Sequence, residues 1–307
     1  MRKLIILTGP TAAGKTGLSI RLAKALDCEI ISADSMQVYK HMDIGTAKIP
    51  ASMMHGIPHH LIDVLEPTEE YNVSRFKEES SKALNGIYGR GKLPLIVGGT
   101  GFYIQALLYD IDFSDNAGTE YRISLIQKAK TQGSGILYKE LLECDPDAAA
   151  YIHENDIKRI TRALEYYHET GNKISDHNRQ ERQRCSPYDF RYFVLNKPRD
   201  MLYKDIDDRV DEMIRLGLVD EVRHLKKIGC RKDTVSMYGL GYKEILEYLD
   251  GNIDLNEAVR IIKRDTRHFA KRQLTWFKRE RDVIWINKDE FDFDEDRILD
   301  YMLKMIG

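Results

Sequence analysis

Hydrophobic positions in the first third of the chain alternate between short runs and stripes at helical spacing. Leu4–Leu7 is an apolar run of strand length. The stripe that follows it comprises Leu18, Leu22, Ala25 and Leu26. Glu29–Ser32 and Leu93–Val97 predict two more strands, and a second helical stripe runs between them from Val73 to about Gly89. Strands that alternate with helices predict a parallel sheet with helices on its faces.

The pattern changes between residues 119 and 178, where apolar residues recur at helical spacing and no segment is typical of a strand. Pro146 after Asp145 predicts a helix start, because proline suits the first helical position. Asn155 or Asp156 would cap the next helix, which Gly171 ends. These residues predict a helical subdomain inserted into the α/β core.

Strand character returns at Phe190–Leu195, and Val283–Ile286 predicts a last strand. Four helices are predicted between these strands, at about residues 200–216, 219–228, 241–250 and 256–279. We therefore divide the chain into a first part of the α/β core (1–113), a helical insertion (114–184) and a second part of the core (185–307).

Composition is that of a globular protein, with 42% hydrophobic and 31% charged residues among 307. No apolar run approaches the ~20 residues of a membrane helix. Met1–Lys3 leads into the first strand with no signal-peptide pattern. The four cysteines form no CxxC pair, which favours reduced thiols over a metal cluster. We expect a cytoplasmic protein, a monomer, with no membrane partner.

A net charge of −2 by itself argues against a nucleic-acid partner. The distribution of charge changes this picture. Between Arg260 and Arg281, nine lysines and arginines stand against two acidic residues. Asn178–Arg184 is a second basic patch, and acidic residues collect at Asp289–Asp296. The predicted helix at 256–279 therefore has the charge of a phosphate-binding surface.

A glycine-rich loop follows the first strand directly and matches G-x-x-x-x-G-K-[ST]. Its residues are Gly9, Pro10, Thr11, Ala12, Ala13, Gly14, Lys15 and Thr16. Backbone N–H groups of such a loop cradle phosphate oxygens, and the N-terminus of the next helix adds positive potential. Lys15 would reach the terminal phosphates, and the Thr16 hydroxyl would hold Mg²⁺. We predict a phosphorylated ligand here, against the alternative of a chance glycine turn.

An ATPase or GTPase usually has a second acidic residue at the end of a strand. Leu93–Val97 ends instead in Gly98–Gly101 and supplies none. Asp34 is the acid that ends an early strand, and from the pattern alone it is a Mg²⁺ ligand, a general base or a helix cap. Because ligands bind beyond the carboxyl ends of parallel strands, we expect the P-loop, Asp34 and Gly98–Gly101 to converge.

Further blocks follow in order along the chain. They read DSMQVYKHMDIGTAK from Asp34, HHLID from His59, VGGTGFY from Val97, RALE from Arg162, DRVDEM from Asp208, LGYKE from Leu240 and TRHFAKRQLTWF from Thr266. Together with the P-loop, they resemble the bacterial tRNA dimethylallyltransferases, also called tRNA isopentenyltransferases, nearly end to end. The adjacent His59 and His60 would point in different directions, so we expect no metal site there.

The resemblance implies a fold similar to P-loop kinases, with a helical insertion. It also implies transfer of a dimethylallyl group from dimethylallyl diphosphate to N6 of an adenine. That adenine lies 3′ of the anticodon in tRNAs that read codons starting with U. The products would be N6-isopentenyladenosine and diphosphate, and Mg²⁺ would be the cofactor. The P-loop would then hold a departing diphosphate, which explains the missing second acid.

The resemblance also assigns roles to residues. Asp34 matches the family's proposed base, and Arg209 matches an arginine that binds diphosphate, so the catalytic set is Lys15, Thr16, Asp34 and Arg209. The implied tRNA contacts are Asp34, Ser35, Met36, Gln37, Thr100, Arg122, Lys158, Arg159, Ile160, Thr161, Arg162, Lys271 and Arg272. In one departure, this chain has Asp205 where family members often carry a second arginine, which leaves the strength of diphosphate binding open.

Three other functions remain open on the sequence. A small-molecule kinase of similar fold would bind ATP at the P-loop. An adenylate isopentenyltransferase would use free AMP and would need no anticodon-binding surface. A non-catalytic RNA-binding protein would have no need of Lys15, Thr16 and Asp34, all of which are present.

Overall fold

A computed structural model describes residues 1–111 and 120–307. The chain forms two compact units, a core unit of Met1–Leu108 with Pro187–Gly307 and an insertion unit of Tyr109–Ser186. The expected boundary between residues 113 and 114 lies outside the described residues. Among the described helices, none is long and apolar enough to span a membrane. All four cysteines are free thiols.

The core unit contains one sheet of six strands in the order β3-β2-β4-β1-β5-β6, and every pairing is parallel. The strands are β1 (Arg2–Thr8), β2 (Cys28–Ser32), β3 (His59–His60), β4 (Leu93–Gly98), β5 (Tyr188–Asn196) and β6 (Val283–Asn287). The predicted α/β class is confirmed. β3 was not predicted, because two edge residues are too few to show a period.

Thirteen α-helices lie in the described part of the chain. They are α1 (Lys15–Leu26), α2 (Val73–Gly89), α3 (Gly101–Leu108), α4 (Glu120–Gln132), α5 (Ser134–Cys144), α6 (Pro146–Ala149), α7 (Ile157–Thr170), α8 (Ile174–Gln183), α9 (Arg199–Arg215), α10 (Leu218–Lys227), α11 (Tyr242–Leu249), α12 (Leu255–Phe277) and α13 (Glu295–Ile306). The sequence did not indicate α13, since an acidic run obscured its start.

Helices cover the sheet because successive strand residues point to opposite faces. Ile5 and Leu7 of β1 pack in one cluster with Leu18 of α1 and Met302 of α13. Ile6, between them, is fully buried on the other face. β1 pairs with β4 on one side and with β5 on the other, so the strand that leads into the P-loop is central.

The insertion unit has its own core, in which Leu137 and Leu141 of α5 pack with Ile160 of α7. Asp156 caps α7 by accepting the N–H of Arg159, which decides between the two predicted caps. Gly171, at φ 69°, ends α7 as predicted. The described part of the insertion therefore contains helices joined by turns, with no strand, and is built around a separate hydrophobic cluster.

Candidate active site

The P-loop lies at the carboxyl edge of the sheet, where β1 gives way to α1. Gly9 has φ +145°, and a Cβ atom there would lie 2.4 Å from the carbonyl oxygen of Leu195 in β5. Gly14 has φ +89°, and a Cβ atom there would lie 3.0 Å from the ammonium of Lys288. Both positions therefore favour glycine for their conformation, and Gly9 requires it for space as well.

Lys15 opens α1, and its ammonium turns back over the loop. It donates to the carbonyl oxygens of Gly9 (2.9 Å) and Pro10 (2.8 Å). The pKa of Lys15 is lowered to about 7, mainly by burial and also by the charges of Arg209 and Lys197, while Asp34 opposes the shift. The loop thus holds a cation that a bound anion would stabilise.

Gln273 of α12 ties the P-loop to the glycine-rich loop after β4. Its Oε1 accepts the N–H of Thr11 (2.9 Å), and its Nε2 donates to the carbonyl oxygen of Gly99 (2.9 Å). The same glycine-rich loop touches the end of β2, because a Cβ atom at Gly98 would lie 2.2 Å from the Ala33 oxygen. The predicted convergence of the three segments is therefore confirmed.

Asp34 follows β2 after one residue. Its Oδ1 accepts the N–H groups of Met36 (2.9 Å) and Gln37 (3.3 Å). No helix starts there, so the carboxylate closes a turn and the helix-cap alternative is excluded. Among the described residues, none donates a hydrogen bond to Oδ2. The charge of Asp34 raises the pKa of Lys15 and of Arg209, so the three groups share one site.

Arg209 lies on α9, and burial lowers its pKa while Asp34 opposes the shift. Within residues 1–111 and 120–307, no carboxylate forms a contact ion pair with its guanidinium. Leu202 and Ile206, on the preceding turns of α9, pack in one cluster with Ala12 of the P-loop. The helix predicted at about residues 200–216 is therefore present, and its packing against the P-loop is a finding of the structure.

The segment from Asp34 to Lys48 is held by a residue that the sequence did not single out. Glu221 of α10 accepts the N–H groups of Asp43 (2.9 Å), Ile44 (2.7 Å) and Gly45 (3.1 Å). The Tyr242 hydroxyl donates to the same carboxylate (2.7 Å). A Cβ atom at Gly45 would lie 2.5 Å from the Tyr242 ring. The DIGTAK and GYKE blocks are thus packing partners.

Three of the residues predicted to contact the target base follow Asp34 in the sequence, and the fourth, Thr100, follows β4. The Gln37 side chain donates to the Thr46 carbonyl oxygen (3.2 Å) and accepts from the Ser32 hydroxyl (3.3 Å). Met36 lies beside Gly239, and Ser35 is half-buried. Thr100 precedes α3, and its N–H donates to the Ala33 carbonyl oxygen (3.2 Å). Their roles in binding RNA stay predictions.

The predicted contacts on the insertion differ in exposure. Arg122 pairs with the buried Glu165, its Nε donating at 2.9 Å. Ile160 and Thr161 are buried in the insertion. Arg162 is half-buried, and Lys158 and Arg159 are exposed. Exposure therefore favours Lys158 and Arg159 as the cations that an RNA backbone could reach.

Part of the positive charge of α12 is neutralised within the core unit. Lys263 pairs with Asp211 (2.6 Å), and Arg267 pairs with Asp207 (2.5 Å), both on α9. Lys271 and Arg272 are exposed. Along the described chain, no acidic residue forms an ion pair with either of them. The surface available to phosphates is therefore narrower than the sequence suggests.

His59 and His60 take separate partners. His60 Nε2 lies 2.7 Å from Glu29 Oε2, and Arg90 donates to the same carboxylate. His59 Nδ1 lies 2.8 Å from the Ile57 carbonyl oxygen. Arg90 lowers the pKa of Glu29 to about 2, with burial opposing. Across the described residues, no group of three or more His, Cys, Asp or Glu could hold a metal ion.

The parallel sheet and the Gly9–Thr16 loop define an α/β protein of the P-loop class. The family model "IPP transferase" matches residues 37–280, and the model "Isopentenyl transferase" matches residues 2–63. The chain therefore belongs to the IPP transferase family, a family of prenyl-transferring enzymes. The resemblance found in the sequence is confirmed.

Named relatives agree with this assignment. The tRNA dimethylallyltransferase of Lachnoclostridium phytofermentans is 57% identical over 100% of this chain and 98% of its own length. The full-length tRNA isopentenylpyrophosphate transferase of Bacillus halodurans has a TM-score of 0.75 at 42% identity, covering 100% of this chain and 97% of its own. A eukaryotic dimethylallyltransferase, studied acting on tRNA, has a TM-score of 0.81 at 32% identity. The match covers 94% of this chain and 74% of that one.

The cluster at Glu221 makes a prediction about stability. Glu221→Ala leaves three backbone N–H groups and the Tyr242 hydroxyl without their acceptor. We expect the free energy of unfolding in urea to fall by about 2–4 kcal/mol. The matched control is Asp220→Ala, an exposed neighbour on α10 whose loss should change it by less than about 1 kcal/mol. Equal changes in the two variants would contradict the prediction.

The pKa of Lys15 makes a prediction about binding. Free Lys15 loses its proton above about pH 7, and a bound anion restores it. The affinity for inorganic diphosphate should therefore fall between pH 7 and 9, by up to about tenfold per pH unit. Isothermal titration at each pH measures this. Lys15→Arg, whose charge persists at these pH values, should show a flatter profile; parallel profiles would contradict the prediction.

Proposed function

We propose that this protein transfers a dimethylallyl group from dimethylallyl diphosphate to N6 of the adenine on the 3′ side of the anticodon. The substrates would be tRNAs that read codons starting with U. The observation that carries the proposal is one carboxylate, Asp34, placed beside the cations Lys15 and Arg209 at a P-loop. The names of the full-length relatives support tRNA as the acceptor.

The P-loop end of the site suits the leaving group. As the allylic C–O bond breaks, negative charge develops on the diphosphate. Lys15 and Arg209 bring positive charge to this end of the site, and loop amides add donors that stabilise the developing charge. Stabilising that charge in the transition state lowers the barrier to departure of diphosphate.

The Asp34 end of the site suits the nucleophile. The adenine amine is weakly nucleophilic, since its lone pair is delocalised into the ring. Oδ1 of Asp34 is engaged by Met36 and Gln37, which fixes the carboxylate. Oδ2 then accepts one amine proton as the new C–N bond forms. The reaction ends with N6-isopentenyladenosine, diphosphate and a protonated Asp34.

We also propose Mg²⁺ as the cofactor. The Thr16 hydroxyl lies in the first turn of α1 and is exposed. No hydrogen bond from the described residues engages that oxygen, which is a donor atom of the kind Mg²⁺ prefers. Mg²⁺ held by Thr16 would offset the charge of the diphosphate.

The tRNA side of the proposal follows from what the reaction needs. A stacked base does not reach a half-buried carboxylate, so the adenine must turn out of the anticodon loop towards Asp34. Ser35, Met36, Gln37 and Thr100 are the proposed contacts of the base. The exposed Lys158, Arg159, Lys271 and Arg272 are proposed contacts of backbone phosphates. We place this activity in the cytoplasm and assign it to a monomer.

Product analysis tests the proposal directly. The protein is incubated with Mg²⁺, dimethylallyl diphosphate and unmodified tRNA, and the digested nucleosides are analysed by mass spectrometry. We expect N6-isopentenyladenosine only when the tRNA carries adenine 3′ of the anticodon. A tRNA with guanine at that position is the control. Prenylation of free AMP in preference to tRNA, or an ATP-dependent phosphorylated product, would contradict the proposal.

Asp34 provides the second test of the reaction. Asp34→Asn keeps an Oδ1 acceptor for the turn but removes the base, whereas Asp34→Ala removes both. We expect turnover to fall by about 10²–10⁴-fold in both variants, with tRNA affinity within about threefold of the original. Single-turnover rates and tRNA binding measure the two effects. A near-normal rate for Asp34→Asn would show that this carboxylate is not the base.

A further inference from the structure

Lys197 is a buried cation that the proposed mechanism does not yet use. It follows β5 directly, and its side chain is only 9% exposed. Its ammonium pairs with Asp205, whose side chain is 46% exposed. Burying a charge is costly unless a partner or a function compensates. A nearly buried lysine whose one partner is half-exposed can therefore also interact with a bound anion.

The position of Lys197 identifies that contact. β5 is the neighbour of β1, and Leu195 of β5 touches Gly9 of the P-loop. Lys197 comes two residues later, so its backbone leaves the sheet beside the phosphate-binding loop. Its charge also helps to lower the pKa of Lys15. Two lysines and Arg209 thus surround the same loop.

Asp205 accounts for the resting position of the Lys197 ammonium. Asp205 and Arg209 are four residues apart on α9, so they share one face of that helix. Asp205 pairs with Lys197, and Arg209 interacts with Asp34. A carboxylate on the face that carries the diphosphate-binding arginine would repel the ligand unless a cation neutralised it. Lys197 supplies that cation.

We propose that Lys197 is a further diphosphate-binding residue, which Asp205 holds beside the P-loop. The proposal rests on the proposed function and deepens it. Diphosphate oxygens share the ammonium with Asp205, and no covalent step is involved. Lys197 thereby supplies a cation on the face where Asp205 replaces the second arginine of related sequences.

Two variants separate this role from a purely structural ion pair. Lys197→Met removes the ammonium and should weaken binding of inorganic diphosphate by about tenfold to a hundredfold in isothermal titration with Mg²⁺. Asp205→Asn breaks the same ion pair but keeps the ammonium, and it should bind diphosphate more tightly. The control is Lys204→Met, which removes an exposed lysine next to Asp205 on α9. This variant should bind diphosphate as tightly as the unmodified protein does.

The comparison of the two variants supplies the readout that a structural role would not give. Both substitutions break the ion pair, but only Lys197→Met removes the ammonium. Similar weakening in Lys197→Met and Asp205→Asn would overturn the inference and leave the proposed function standing. Failure of the original protein to bind diphosphate would overturn both.

Discussion

The site depends on how closely neighbouring backbones approach at the carboxyl edge of the sheet. Gly9 lies against the Leu195 carbonyl oxygen, and Gly98 lies against that of Ala33. A side chain at either position would push apart the P-loop, the end of β2 or the end of β5. These contacts, fixed further by Gln273, let three loops from different strands share one small volume.

That approach has an electrostatic consequence. The charges of three cations from different elements, Lys15, Lys197 and Arg209, interact at the P-loop. Burial and mutual repulsion make their charges costly, as the lowered pKa of Lys15 shows. A bound anion would offset this repulsion and therefore stabilise the site. Asp34 adds the carboxylate that the proposed proton transfer needs, and the N–H groups of Met36 and Gln37 hold it in place.

The sequence predicted the alternation of strands and helices, because the apolar runs of β1 and β4 and the helical spacing of apolar residues in α1 are long enough to be recognised. It also predicted the convergence of the P-loop with Asp34, since parallel strands end at one edge. It did not predict β3 or the cluster at Glu221. Glu221 acts on three N–H groups 176 to 178 residues away, a contact that only packing defines. The sequence also did not predict that Asp205 pairs with Lys197, because that contact too depends on packing.

The central claim is that the P-loop holds a leaving group while carbon, and not phosphorus, is attacked. Dimethylallyl diphosphate labelled with ¹⁸O at the oxygen that bridges carbon and phosphorus tests this directly. The products formed with tRNA are separated, and the label is located by mass spectrometry. Cleavage of the C–O bond predicts all of the bridging label in the diphosphate. Label retained in dimethylallyl alcohol, or a phosphorylated acceptor, would contradict the account.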